Sequence, residues 1–300
     1  MQNYLSWKVE HDEATLRGAD LVRVPPLPMP IVFRGGVMTG AKASASETGL
    51  PARTTPQING RDGKFFENRL THTIGYRAVG RLLGRYGEGF KQGSAFAVGP
   101  RLVMTAGHCV HLDGRQITDL LFQPGFPTLG RTILVDRVFV PVQWVNNRDF
   151  SSDVALLVTR DVISEEMWFG VKTDLPDLGA QGWGVRGYPG EPPFDGTLPF
   201  GDSGPSTNKP WDDGELRFSL NACDWIDLTR GASGGPWLHD KLNQGVVVIE
   251  GKLPDPRQKP PYANGLSSFF YERYPGIMIS PQFGPIVREF LVQALADIDL

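Results

Sequence analysis

Glycine and proline set the first constraint on this chain: 36 Gly and 25 Pro make up about a fifth of its 300 residues. Spread along the sequence, they interrupt helical stretches and favour short strands joined by turns. Between them lie apolar, β-branched runs at Ser94–Val98, Leu102–Met104, Thr132–Val142, Val154–Thr159, Trp183–Gly187, Leu216–Leu220 and Val246–Ile249. Gly99-Pro100-Arg101 separates the first two and predicts a hairpin. One helix stands out near the end, where Pro285 suits a first turn and Ile286, Val287, Phe290, Leu291 and Leu295 recur at threes and fours. Many short strands with one terminal helix predict an all-β barrel protein, and the length suits one large domain or two small barrels.

Residues 24–62 read differently. They are rich in Pro, Gly, Ser, Thr and Ala and lack periodicity. Residues 1–62 are therefore read as an N-terminal extension, linker or pro-segment, with an ordered strap along a barrel as the alternative. Ordered structure is expected to begin near Phe65, and 63–300 to form the compact domain.

Composition excludes several classes. The formal net charge is −3 and no Lys/Arg cluster occurs, so nothing recommends a nucleic-acid partner. No apolar run approaches about 18 residues, so no membrane span is expected. The opening MQNYLSWKVEHDEATLRGAD has no basic start followed by an apolar stretch, and no signal peptide is visible. Cys109 and Cys223 could form one disulfide or stay as thiols, and neither their spacing nor companion histidines point to a metal or other cofactor.

Three short segments carry chemistry. Thr105-Ala-Gly-His108-Cys109 follows an apolar strand, Ser152-Asp153 opens another, and Gly231-Ala-Ser233-Gly-Gly-Pro236 is a turn leading into Trp237-Leu238. A serine hydroxyl is a poor nucleophile: it needs an imidazole to take its proton and a carboxylate to fix and stabilise that imidazole. The oxyanion needs backbone N–H donors, and glycines leave them accessible. His108 as base, Asp153 as its orienter, Ser233 as nucleophile and the N–H groups of Gly231 and Ser233 as oxyanion donors satisfy this.

The segments resemble the Thr-Ala-Ala-His-Cys, Asp-Ile-Ala-Leu and Gly-Asp-Ser-Gly-Gly-Pro motifs of trypsin-like serine peptidases, in the same order. Gly187-Tyr-Pro-Gly190 is similar to the V8-like, glutamyl endopeptidase branch. The resemblance runs from about Tyr76 to the C-terminus. It implies the chymotrypsin-like fold of two six-stranded antiparallel barrels with the triad between them, endopeptidase activity on polypeptide substrates without a cofactor, and secretion.

Rivals are few. His11, His72, His111 and His239 are the other histidines, and Asp136, Asp149 and Asp161 the competing acids. None of them has the motif context. Gly201-Asp-Ser203-Gly-Pro205 matches part of the serine motif but runs into a polar stretch and is read as a loop. The α/β-hydrolase elbow is excluded because only His239 follows Ser233. A non-catalytic binding protein on the same fold and an esterase-type hydrolase are the alternatives.

The chain departs from the trypsin pattern at Ala232, where a carboxylate would pair with a newly cut N-terminus. Asp227 lies six residues before Ser233, where the resemblance implies a pocket aspartate. Glu250 is placed on the strand Val247–Gly251, read as the substrate-pairing strand. Both would favour Lys or Arg at P1, unless Asp227 is a solvated loop residue beside Arg230. No His occurs on that strand, which argues against glutamate specificity.

Overall fold

The structure is a computed structural model that describes residues 3–18, 21, 24–27, 31–33, 36–38, 64–65, 77–164, 168–173, 182–207, 220–223, 226, 228–238, 262–271 and 276–298. Two closed β systems organise it. In the first, Val79–Tyr86 pairs with Gly89–Ala97, which pairs with Leu102–Thr105, then Ala155–Thr159, Ile133–Pro141 and Thr118–Pro124, and so back to Val79–Tyr86. Every pairing is antiparallel, and six strands close the barrel. Register shifts between Thr118 and Leu121 and between Val135 and Arg137 supply the local bends that closure requires. Leu82, Phe96, Val103, Phe122, Phe139 and Leu156 are fully buried in its core.

In the second system Gly182–Gly187 pairs with Phe200–Pro205 on one side and Pro236–Leu238 on the other. Pro236–Leu238 pairs with Tyr262–Leu266, and Ser267-Ser268 carry the chain on to Phe269–Tyr271. That strand pairs with Met278–Pro281, which pairs with Leu220–Cys223. A single bridge from Cys223 to Ser206 returns to the end of Phe200–Pro205 and completes the ring. Trp183 and Trp237 lie 5.5 Å apart at the centre, among Val185, Ile226, Leu228, Ala232 and Met278.

The final helix, Pro285–Ala296, starts with the expected proline. It buries Val287, Phe290, Leu291 and Ala294 in the same core as the first barrel. It thus ties the end of the chain back to the beginning.

Several expectations change. Two further helices of six residues each, Glu13–Gly18 and Val142–Asn147, are too short for a periodic signal. Ser203 lies in the strand Phe200–Pro205 opposite Gly184 and not in a loop. Ordered structure does not wait for Phe65. Tyr4–Lys8 adds to Ile133–Pro141 over five antiparallel pairs, from Tyr4 with Pro141 to Lys8 with Arg137. Val24 and Leu27 are buried, Pro26 bridges Gln92, and Ile31–Phe33 pairs with Phe269–Tyr271. These segments gain their order from main-chain edges offered by distant strands, which side-chain composition does not encode. No disulfide joins Cys109, in the first barrel, to Cys223, in the second. The apolar run Val246–Ile249 lies outside the described residues.

Candidate active site

His108 sits in a one-turn 3-10 helix, Gly107–Cys109, directly after the barrel strand Leu102–Thr105. Gly107 has no room for a side chain: an added Cβ would stand 2.8 Å from the Trp144 ring and 3.0 Å from Asp153 Oδ1. Asp153 follows another such turn, Phe150–Ser152, where the Ser151 N–H and hydroxyl both donate to the Asp149 carboxylate. Asp149 is thereby accounted for as a cap, and Asp136 as an exposed partner of Arg160.

The two turns present Asp153 to His108 twice. The His108 main-chain N–H donates to Oδ1 at 2.8 Å, and Nδ1 lies 2.9 Å from Oδ2. Nδ1 is then the protonated ring nitrogen and Nε2 is free to accept. A third donor is Ser268, whose hydroxyl bonds Oδ2. Sequence reasoning missed Ser268, which is one of an ordinary Ser-Ser pair and reaches Asp153 only because the second barrel folds against the first. The His108 ring also packs against Trp144, at 6.3 Å between centroids, and Trp144 donates its indole N–H to the His111 carbonyl. His108 and Asp153 are both completely buried. Burial alone would lower the His108 pKa. The charge of Asp153 outweighs it, aided by Cys109 and by hydrogen bonds to both, and the imidazole is pushed up to about 10. For His111, half-buried, burial and then Arg148 act in the opposite direction and lower it.

Ser233 lies on a turn clamped from both sides. Its carbonyl accepts from Ser94 N–H at 2.7 Å, in the first barrel, and the next N–H, of Gly234, donates to Ser267 at 2.7 Å, in the second. Cys109 Sγ stands 3.7 Å from the same carbonyl. Two glycines are required here. Gly231 has φ +98°, and a Cβ on it would sit 2.5 Å from the Tyr188 carbonyl oxygen, while one on Gly234, at φ +83°, would run into Thr105 and Ser94. Only glycine adopts such geometry without strain.

The N–H groups of Gly231 and Ser233 donate to no acceptor among the described residues. The carbonyl of Arg230, just before them, is turned away to accept from Gly190 N–H at 2.7 Å. This gives Gly187-Tyr-Pro-Gly190 a physical role. Tyr188 N–H binds the Ser94 hydroxyl, which in turn donates to the Gly231 carbonyl. Ala232 is fully buried in the Trp183–Trp237 cluster, so apolar packing stands where a paired carboxylate would need a cation.

His108 Nε2 and Ser233 Oγ, both buried, have no hydrogen-bond partner among the described residues. Such atoms are costly unless something else uses them. The competing Ser203 is exposed on the far strand. Asp227 and Glu250, the strand Val247–Gly251, His72 and His239 lie outside the described residues. The strand that continues from Ser268 beside Asp153 is Phe269–Tyr271.

No family model matches this chain, and no curated protein does. Solved structures do. A protease, Anisep, from Arthrobacter nicotinovorans is 22% identical with TM-score 0.59, over 74% of this chain and 96% of its own. A thermostable serine protease, AL20, from an extremophilic microorganism is 22% identical with TM-score 0.59, over 75% and 100%. A Glu endopeptidase in complex with MPD is 18% identical with TM-score 0.60, over 79% and 99%. A closed six-stranded antiparallel barrel, a second β system, the terminal helix, and overlap with nearly the whole of these proteases give this chain the chymotrypsin fold.

Proposed function

We propose that this protein is a serine endopeptidase acting through an acyl-enzyme. The observation that carries the reading is the pair of unpartnered buried atoms, His108 Nε2 and Ser233 Oγ, beside a turn whose two N–H groups are also unused. His108 Nε2 takes the Ser233 proton as Oγ attacks the peptide carbonyl. Asp153 stabilises the resulting imidazolium, and the N–H groups of Gly231 and Ser233 receive the oxyanion. His108 then returns the proton to the leaving amine, and water repeats the sequence on the ester. The hydroxyl–imidazole hydrogen bond is not made in the resting site, and catalytic contacts of this kind often tighten only with substrate present.

Two carboxylates, Asp227 and Glu250, support a preference for Lys or Arg at P1 through charge pairing. The test is a fluorophosphonate probe followed by peptide mapping, alongside Lys-, Arg- and Glu-arylamide substrates. Wild type should be labelled at Ser233 and cleave the basic substrates faster, and Ser233→Ala should lose several orders of magnitude in rate. Turnover by Ser233→Ala at the parental rate would overturn the assignment. Faster cleavage after Glu would overturn the P1 preference alone.

A further inference from the structure

Arg81 and Gln92 are polar side chains that the fold buries completely and the reaction scheme leaves unused. Their strands, Val79–Tyr86 and Gly89–Ala97, pair with Arg81 opposite Ser94 and Leu83 opposite Gln92. Side chains alternate along a strand, so Arg81, Gln92 and Ser94 share one face, with Arg81 diagonal to Gln92. The Gln92 main chain is itself fixed: its N–H donates to the Pro25 carbonyl at 2.9 Å, and its carbonyl accepts from Leu27 N–H at 2.6 Å.

The Gln92 amide is satisfied at both ends. Oε1 accepts from Arg81 Nε at 2.8 Å, and Nε2 donates to the carbonyls of Tyr188 at 3.0 Å and Gly196 at 3.1 Å. A guanidinium only donates, so it selects Oε1 and turns Nε2 towards the two carbonyls. Arg81 is held in turn. Its Cζ lies 4.4 Å from the centre of the Phe126 ring, and the Phe126 carbonyl accepts from the Tyr188 hydroxyl at 3.0 Å. Arg81, Gln92, Tyr188 and Phe126 thus close a ring of contacts.

Tyr188 links this ring to the oxyanion turn. Its N–H goes to Ser94 and its carbonyl to Gln92, so one strand clamps both ends of the residue. That carbonyl oxygen is the atom a Cβ on Gly231 would meet at 2.5 Å. Two residues on, Gly190 N–H donates to the Arg230 carbonyl at 2.7 Å. The N–H of Gly231 belongs to the same peptide group as that carbonyl, and in a planar trans peptide the two point opposite ways. Holding the carbonyl towards Gly190 therefore aims the Gly231 N–H away from it, as an oxyanion donor.

We infer that Gln92, oriented by Arg81, is a positioning residue for the oxyanion turn: it fixes Tyr188–Gly190, and these fix the Arg230–Gly231 peptide. The inference rests on the peptidase reading and deepens it. Because the donor it serves acts on charge that develops only in the transition state, Gln92 contributes to kcat and not to substrate binding.

The test is Gln92→Glu, which keeps the shape and the Arg81 contact but has no Nε2 donors, alongside Arg81→Met. With the arylamide substrate that wild type cleaves fastest, kcat should fall roughly 10²-fold in Gln92→Glu at nearly constant KM, as on loss of an oxyanion donor. Inhibition by a peptide aldehyde, whose hemiacetal oxygen takes the oxyanion's place, should weaken by a similar factor. The acid limb of the pH profile should stay in place, since His108 and Asp153 keep their contacts. Arg81→Met should act in the same direction, and a wild-type kcat there would overturn the part given to Arg81. A folded Gln92→Glu protein that melts lower but keeps wild-type kcat and aldehyde inhibition would overturn the inference, as would a rise in KM alone. Hydrogen exchange in the unaltered chain is a readout independent of activity. The Gln92 side-chain amide and the Gly190 N–H should exchange slowly, and exchange at the rate of free amides overturns the clamp even where both variants fail to fold. If wild type neither cleaves peptides nor takes a fluorophosphonate at Ser233, the peptidase reading fails, and the exchange measurement still decides the clamp.

Discussion

Asp153 makes three contacts, and each has a different consequence for His108. The main-chain N–H bond fixes where the turn sits, the Nδ1 contact fixes the tautomer, and the Ser268 hydroxyl fixes the carboxylate itself. Asp153→Asn should therefore lower kcat by about four orders of magnitude with little change in KM, since the imidazole loses both its tautomer and its counter-charge. The acid limb of the pH profile reports the same contact. With His108 raised from 6.5 to about 10, kcat/KM should climb with pH towards that value as the base loses its proton. In Asp153→Asn the limb should move down. Stability runs the opposite way. The folded state holds the His108 proton more tightly than the unfolded chain. Its contribution is thus complete below the unfolded value of 6.5 and lost as pH rises through about 10. The melting-temperature advantage of wild type over His108→Gln should shrink across that window, and an advantage that grows with pH would contradict the assigned shift. His108, Asp153 and Ser233 were legible in the sequence because each sits in a short motif with a distinctive neighbour. Ser268, Ser94 and Gln92 were not, because a serine or glutamine acquires such roles only from strands brought together across the fold.

At the level of elements, the site depends on turns that admit no side chain. Gly231→Ala would place a methyl group 2.5 Å from the Tyr188 carbonyl oxygen at a φ of +98°. The oxyanion turn must shift, and loss of one donor costs about 10²- to 10³-fold in kcat. Probe labelling and kcat should fall together while the far-ultraviolet spectrum stays that of wild type. Gly93 offers the reverse case, a glycine whose replacement adds a bond. A Cβ there would lie 2.9 Å from Cys109 Sγ and 3.8 Å from Cys109 Cβ, the separations of a disulfide. The thiol introduced by Gly93→Cys should oxidise onto Cys109, closing a loop of about 16 residues, worth about 3 kcal/mol. Non-reducing peptide mapping and melting with and without reductant would show it. A Gly93→Cys protein in which Cys109 stays a free thiol under air would overturn the geometry. Strands rich in branched residues, such as Ala155–Thr159, were readable from periodicity. Val79–Tyr86 was not, since Gly80, Arg81 and Gly84 interrupt its apolar pattern although Arg81 is itself buried.

Across the whole molecule, the two ends of the chain meet on the first barrel. Tyr4 packs on Phe139 at 5.6 Å and on Phe290 of the final helix at 6.5 Å, and its hydroxyl donates to Asp297. Arg137 holds the Asp297 carbonyl at 3.0 Å, and Asn3 reaches Glu289 at 2.8 Å. The final helix was visible from its period, but its partner was not, because Tyr4–Lys8 is a short mixed strand whose order comes from the edge of Ile133–Pro141. The N-terminal region therefore meets the fold at two separate places: residues 4–8 clasp the barrel and final helix, and Pro25 and Leu27 pair with Gln92. Tyr4→Ala isolates the clasp. Tyr4 is only 4% exposed, and truncating a buried aromatic costs about 3–5 kcal/mol. For a chain of this size that is a fall of roughly 6–15 °C in melting temperature. The labelling rate of Ser233 at 25 °C should not change, since Gln92 and Phe270 keep their partners. A Tyr4→Ala protein that melts at the wild-type temperature would overturn the clasp between Tyr4, Phe139 and the final helix.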